Sequence, residues 1–280
     1  LSASEGIRVP AGDFSAKIMV KVGQLNSKDF PDSKKYAIPL SITGASNYSL
    51  IPSQRSAILL LNRSILSSVA KVSGGEGIRI KPVGMHTKAE WTIQMSAIYS
   101  SLTRSNLTTP YLSNGTGGAF YTRISSTAGI QVKNGRDGDD TWTQMPLQAG
   151  KWLHITYVHK DKKTTVYVNG KVQKVFENSA ITFGENSMIV VGNSGYRNDY
   201  LREIRLWDKA LTESEINDYL YLPMDPATPH LISYLPLSKE METKDLKAPA
   251  GTENVTTKAR IEYVENVKFP ADELVIVNQE

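Results

Sequence analysis

Apolar and polar side chains alternate along most of this chain with the period of a strand. The runs 16–22, 56–61, 77–81 and 91–95 are period-2 or short apolar segments rich in Val, Ile and Thr. Gly, Pro, Asn and Ser bound them, which predicts β-strands. The most explicit segment is 152–176, where two β-rich runs meet at Asn169-Gly170. Both central residues of a type I′ turn need positive φ, so Asn-Gly predicts a two-residue hairpin. That closure pairs Tyr167 with Val172 on one face, and Val168 with Lys171 and Val166 with Gln173 on the other. The middle strand is then apolar on both faces and belongs inside a sheet covered on both sides.

A single helix is expected. Thr212-Glu213-Ser214-Glu215 forms a capping box, Leu211 and Ile216 stand at the positions of a hydrophobic staple, and Pro223 ends the turn. The expected length is ~10 residues, within 212–222. Many strands, many Gly/Asn/Ser turns and one surface helix describe a sandwich or jelly roll. The Ser- and Gly-rich stretch 64–77 follows an apolar strand and reads as a linker. The division is a small N-terminal β-rich unit over 1–66, a linker over 67–77 and a larger domain over 78–280. The runs at 230–235 and 260–264 are expected to pair back onto the larger domain.

Composition narrows the chemistry. A chain of 280 residues buries roughly three quarters of its unfolded surface and needs no metal or disulfide to fold. It has no cysteine, which excludes a disulfide framework, a thiolate zinc site, an iron–sulfur cluster and a cysteine nucleophile. The net charge is +4 with only 21% charged residues. The densest basic run, Lys160 to Lys163, reads as a turn tip, so no nucleic-acid partner is expected. No stretch approaches the ~18 apolar residues of a membrane span. Leu1 is not Met, which points to a processed N-terminus.

The motifs at 91–95 (WTIQM), 151–158 (KWLHITYV), 166–170 (VYVNG), 191–193 (VGN) and 201–212 (LREIRLWDKALT) occur in that order. Together they resemble the laminin-G/pentraxin type of concanavalin A-like jelly roll over roughly 78–222. The stretches 7–12 (IRVPAG) and 34–43 (KKYAIPLSIT) resemble a β-rich domain of surface lipoproteins in the glycan-utilisation systems of gut Bacteroidetes. The resemblance implies an all-β protein, a small sandwich-like unit followed by a jelly roll with one peripheral helix. It also implies an outer-membrane, glycan-facing protein that holds oligosaccharide or polysaccharide, acts beside an outer-membrane transporter, and meets the membrane through a lipid-anchored cysteine upstream; a periplasmic location is the alternative.

Laminarinase-type relatives place two carboxylates on one strand face. Here Glu203 and Arg205 share a face and Asp208 lies opposite, so no local acid pair forms and Glu203–Arg205 reads as an ion pair. His154 and His159 fall on opposite faces and cannot chelate one metal there. His86 and His230 have no Ser or carboxylate at triad-like spacing. Asn134 to Asp140 is the densest oxygen cluster. Asp137, Asp139 and Asp140 are candidate Ca²⁺ ligands, although the spacing is not that of an EF-hand and a solvated hairpin tip explains it too. No cofactor is otherwise expected. Sugar binding needs aromatic faces beside hydrogen-bonding groups. Trp91, Trp152 and Trp207 match core positions, which leaves Trp142 beside the acidic turn and the loop Tyr196, Arg197, Asn198, Asp199 and Tyr200. Tyr111 and Tyr121, flanking a Gly-rich stretch, complete the candidates; each of these also reads as an ordinary aromatic packed on its strand end. The leading expectation is a non-catalytic glycan-binding surface protein. The alternatives are a structural or protein-binding surface module and a divergent glycoside hydrolase.

Overall fold

The computed structural model describes residues 6–23, 25–61, 63–74, 77–83, 89–103, 110–113, 118–133, 138–177, 187–192 and 196–278. Along the chain the strands are β1 (Tyr36–Ser41), β2 (Ser56–Leu61), β3 (Ile65–Gly74), β4 (Ile78–Ile80), β5 (Trp91–Ile98), β6 (Pro110–Ser113), β7 (Gly118–Ser125) and β8 (Gly129–Lys133). They continue with β9 (Trp152–Lys160), β10 (Lys163–Val168), β11 (Lys171–Glu177), β12 (Met188–Val191) and β13 (Tyr196–Trp207). The helix α1 (Glu213–Asp218) follows, then β14 (Leu231–Leu235), β15 (Val255–Thr256) and β16 (Arg260–Phe269).

Two antiparallel sheets share one core. The larger runs β11-β10-β9-β5-β13-β3-β16, with β14 also paired to β13; the smaller runs β15-β4-β12-β6-β7-β8. Alternate residues explain the layering. Trp91, Ile93 and Met95 of β5 and Leu153, Ile155 and Tyr157 of β9 meet Ile78, Ile80, Phe120, Ile124 and Ile189 of the smaller sheet in one buried cluster. Trp91 stacks on His159 at 5.1 Å and meets Phe120 edge-on at 5.0 Å.

The hairpin closes as its sequence predicts. Asn169 and Gly170 have φ of 51° and 76°, and Tyr167 pairs with Val172 and Val168 with Lys171. A bulge then moves Val166 opposite Lys174 instead of Gln173. The capping box is also present, with the Glu215 amide donating to Thr212 Oγ1 and the Thr212 amide to Glu215 Oε2. The helix covers the outer side of the larger sheet, where Ile216 packs with Val158, Trp207 and Leu211. It is six residues long, shorter than expected, because buried arginines take the carbonyls that follow it.

Residues 67–74 of the stretch read as a linker are strand. β3 sits between β13 and β16, and β16 pairs with it from Ile65 to Ser73. Its small Ser, Ala and Val side chains suit a strand packed on both faces. Among the described residues of the N-terminal part only β1 and β2 form a sheet, and 16–22, expected as a strand, has no described strand beside it, leaving Met19 94% exposed. Without a neighbour to accept its backbone bonds, an alternating segment does not become a strand. Removing the cap hydroxyl with Thr212→Ala should cost about 1 kcal/mol, a fall of roughly 2–4 °C in Tm read by thermal unfolding.

Candidate functional site

The register of the strands separates the predicted residues into two groups. β12 runs antiparallel to β6, so Val191 and Pro110 share one end of the smaller sheet and Met188 and Ser113 the other. Tyr196 to Tyr200 begin β13 and pair with the far end of β3, beyond Val191. Trp142 and the acidic turn follow β8, whose last residue Lys133 pairs with Tyr121, at the opposite end. These two groups therefore cannot form one site.

Tyr196 to Tyr200 is strand rather than loop, with a bulge at Asn198, whose φ is 63°. Asn198 is exposed. Asp199 is 4% exposed and accepts bonds from the Ser100 amide at 2.7 Å and its hydroxyl at 3.0 Å. Tyr200 packs beside Ile65, Val69 and Trp152. The side chains of Tyr111, Tyr196 and Arg197, and all of Asp137, lie outside the described residues. Trp142 is buried at 4% exposure, bridged to Gln131, so its ring offers no open stacking face, contrary to the sequence reading. Lys174 donates to its carbonyl at 2.6 Å. Asp139 and Asp140 are exposed on a short 3-10 turn, and among the described residues no group of three or more His, Asp or Glu is arranged to hold a metal.

Two of the candidate residues occupy neighbouring strand positions. Leu112 pairs with Phe120, which sets Tyr111 and Tyr121 at neighbouring positions on adjacent strands. The register continues on one side through Val190, which is wholly buried, to Arg79 and on the other to Lys133. Phe120, Thr122 and Ile124 point inward, so Tyr121 and Arg123 stand on the outer side, half-buried, with the Arg123 guanidinium 5.5 Å from the Tyr121 ring centre. This outer face combines an aromatic ring with guanidinium and amine donors on rigid strands.

A second group was only half visible in the sequence. β13 pairs with β3 up to Leu201 and with β14 from Ile204. At this exchange of partners Glu203 takes φ of 55° and its amide reaches the Pro236 carbonyl. Its carboxylate is 4% exposed and receives Arg205 Nε at 3.2 Å, Arg202 Nη2 at 3.4 Å and the Tyr234 hydroxyl at 3.0 Å. The same guanidinium groups donate to the carbonyls of Tyr219, Tyr221 and Leu222. Arg202 also lies 4.0 Å above the Phe269 ring. Burial and the neighbouring carboxylate push the Tyr234 phenol far up, which keeps it a donor and makes it a poor nucleophile. The sequence reading reached the Glu203–Arg205 pair; Tyr234 and Arg202 needed the fold.

The family model for the concanavalin A-like lectins and glucanases, of the laminin-G type, matches residues 73–217, more than half the chain. The chain belongs to this family. No curated protein matches it. Among solved structures, it is similar to a Bacteroides ovatus protein proposed to bind carbohydrate, at 17% identity and TM-score 0.57, over 88% of this chain and 72% of that one. It is also similar to a heptameric SAP-like pentraxin of Limulus polyphemus, at 14% identity and TM-score 0.47, over 71% and 94% of the two chains. A third is domain 4 of an extracellular arabinanase of Geobacillus stearothermophilus in complex with arabinotriose, at 14% and 0.40, over 65% and 86%.

Within this lectin-type fold two histidines gain partners that spacing did not reveal. His230 meets Asp208 at 2.9 Å, and His154 Nδ1 lies 2.6 Å from Ser96 Oγ across the β5–β9 pair. Burial, with Arg202 and Arg205 nearby, lowers the His154 pKa to about 3. A base that weak does not activate Ser96 near neutral pH. The folded value lies below the unfolded 6.5, so this contribution to stability is complete above pH 6.5 and is lost as pH falls toward 3. Melting curves should therefore show His154→Gln losing less Tm than the wild type between pH 7 and pH 4. Glu203→Gln should cost about 3–5 kcal/mol in urea unfolding, because it leaves two buried cations uncompensated. Tyr234→Phe should cost less, on the order of 1–3 kcal/mol.

Proposed function

We propose that this is a non-catalytic carbohydrate-binding protein of a cell surface, working within a polysaccharide-utilisation system beside an outer-membrane transporter. The observation that carries the reading is the outer face of the smaller sheet in a lectin-type fold. Tyr121 supplies an apolar ring for sugar C–H patches, and Arg123 and Lys133 supply donors for hydroxyls and ring oxygens. The likeness in fold to a protein proposed to bind carbohydrate supports it. The surface location and lipid anchor rest on the resemblance of the N-terminal stretches.

The non-catalytic part rests on the buried acids. Glycoside hydrolysis uses one carboxyl group held protonated and a second as nucleophile or base. Among the described residues the buried carboxylates are Asp199, Glu203 and Asp245. Asp199 is taken by Ser100, Glu203 by Arg202, Arg205 and Tyr234, and Asp245 by Ser233, Asn254 and the Tyr234 amide. Each is fixed as a structural acceptor.

Protein docking is the second reading, and the exposed Ile58 at 69% and Leu60 at 71% on β2 favour it. Calorimetric titration against a panel of purified plant and host polysaccharides separates the two. The expected result is saturable binding to at least one glycan, no release of reducing ends, and a loss of roughly three- to tenfold in affinity for Tyr121→Ala. Binding to none of them, or carboxylate-dependent release of reducing sugar, contradicts the proposal.

A further inference from the structure

Two bulges flank the same stretch of β3. In β13 the bulge lies between Arg202 and Arg205, where β3 gives way to β14; in β16 it lies between Val264 and Val267. Ser68 stands opposite the second, because Val264 pairs with Val69 and Val267 with Ser67. Around them the backbone adopts left-handed conformations that non-glycine residues avoid. Glu203, Leu237, Glu242 and Asn266 have φ of 55°, 55°, 50° and 57°, four of the ten such residues among those described. Bulges and left-handed residues of this kind gather where side chains are aimed at a ligand.

Between the bulges opens a cleft of about 530 Å³, within the range of small-ligand pockets. Its polar lining carries carboxylates from Asp32, Glu203, Glu240 and Glu265, hydroxyls including Ser68 and Tyr234, and the Asn266 carboxamide, with no Lys or Arg. Pro223, Pro236 and Met241 add apolar wall. Three of the acids carry a cation behind them: Arg63 for Asp32, Arg202 and Arg205 for Glu203, and Lys239 for Glu265 at 2.6 Å. Glu240 is held ionised by backbone and serine donors.

We infer that this cleft is a second sugar subsite, selective for neutral over acidic saccharides. A neutral sugar offers O–H donors to the carboxylates and an apolar ring face to the prolines and methionine. A uronate or sialate brings a negative charge toward acids whose neighbouring cations, Arg63, Arg202, Arg205 and Lys239, are already paired with them. The inference rests on the carbohydrate-binding reading but places a different ligand class at a different site from the cation-bearing sheet face.

The test is calorimetry on the full chain with neutral trisaccharides (maltotriose, cellotriose, xylotriose and mannotriose) and with trigalacturonate. Glu240→Lys adds a cation to the lining, and Met241→Trp adds bulk to it at a position 40% exposed. The expected result is a neutral trisaccharide bound about tenfold or more weakly by both variants and not displaced by trigalacturonate. Binding untouched by both cleft variants, displacement by trigalacturonate, or long glycans bound with no trisaccharide bound overturns the subsite and leaves the carbohydrate reading standing. No binding of any saccharide overturns both.

Discussion

The buried carboxylate of Glu203 is the interaction on which the outer architecture rests. Two guanidinium groups, 1% and 2% exposed, reach it from the same strand. Without it, each would be a desolvated cation with carbonyls as its only polar partners, an arrangement costing several kcal/mol. With it, their remaining donors become available to the chain after α1, and the carbonyls of Tyr219, Tyr221 and Leu222 are drawn onto the sheet. That segment carries Leu222 and Met224 into the two outer apolar clusters, which seal the sheet side opposite the main core. The short helix, the left-handed Glu203 and the exchange of strand partners are three views of one arrangement.

The same arrangement shapes the function. The buried acids Asp199, Glu203 and Asp245 each accept hydrogen bonds from side chains or backbone of the fold itself. The larger sheet is layered on its outer side, and the smaller sheet presents Tyr121, Arg123 and Lys133 outward. The two surfaces differ in charge: cations stand on the smaller sheet, and acids with hydroxyls gather between the bulges. A protein that grips a polymer at more than one point gains avidity without needing a deep pocket at either.

Local signals read well from the sequence, and long-range ones did not. The capping box at Thr212 and Glu215 and the Asn169-Gly170 turn depend on residues a few positions apart, and both formed. Ser and Gly give the stretch 67–77 the composition of a linker; β13 and β16, more than a hundred residues away, supply the partners that make 67–74 strand. Trp142 carries polar neighbours in sequence, yet its bridge to Gln131 buries it. The Ser96–His154 and Tyr234–Glu203 contacts span 58 and 31 residues and follow only from strand order. For the site, the sequence offers Tyr111 and Tyr121 as candidates for completing a rim, and only their strand register follows from the fold; the cleft between bulges has no local signal, since bulge positions are set by pairing partners.

The most direct test of the account is a crystal structure of the full chain with a glycan selected by array screening. Electron density for an intact oligosaccharide against Tyr121 or between the bulges, with Glu203 still held by Arg202, Arg205 and Tyr234, is the predicted result. A cleaved glycosidic bond in the density, or sugar bound with the Glu203 carboxylate released toward it, contradicts the account.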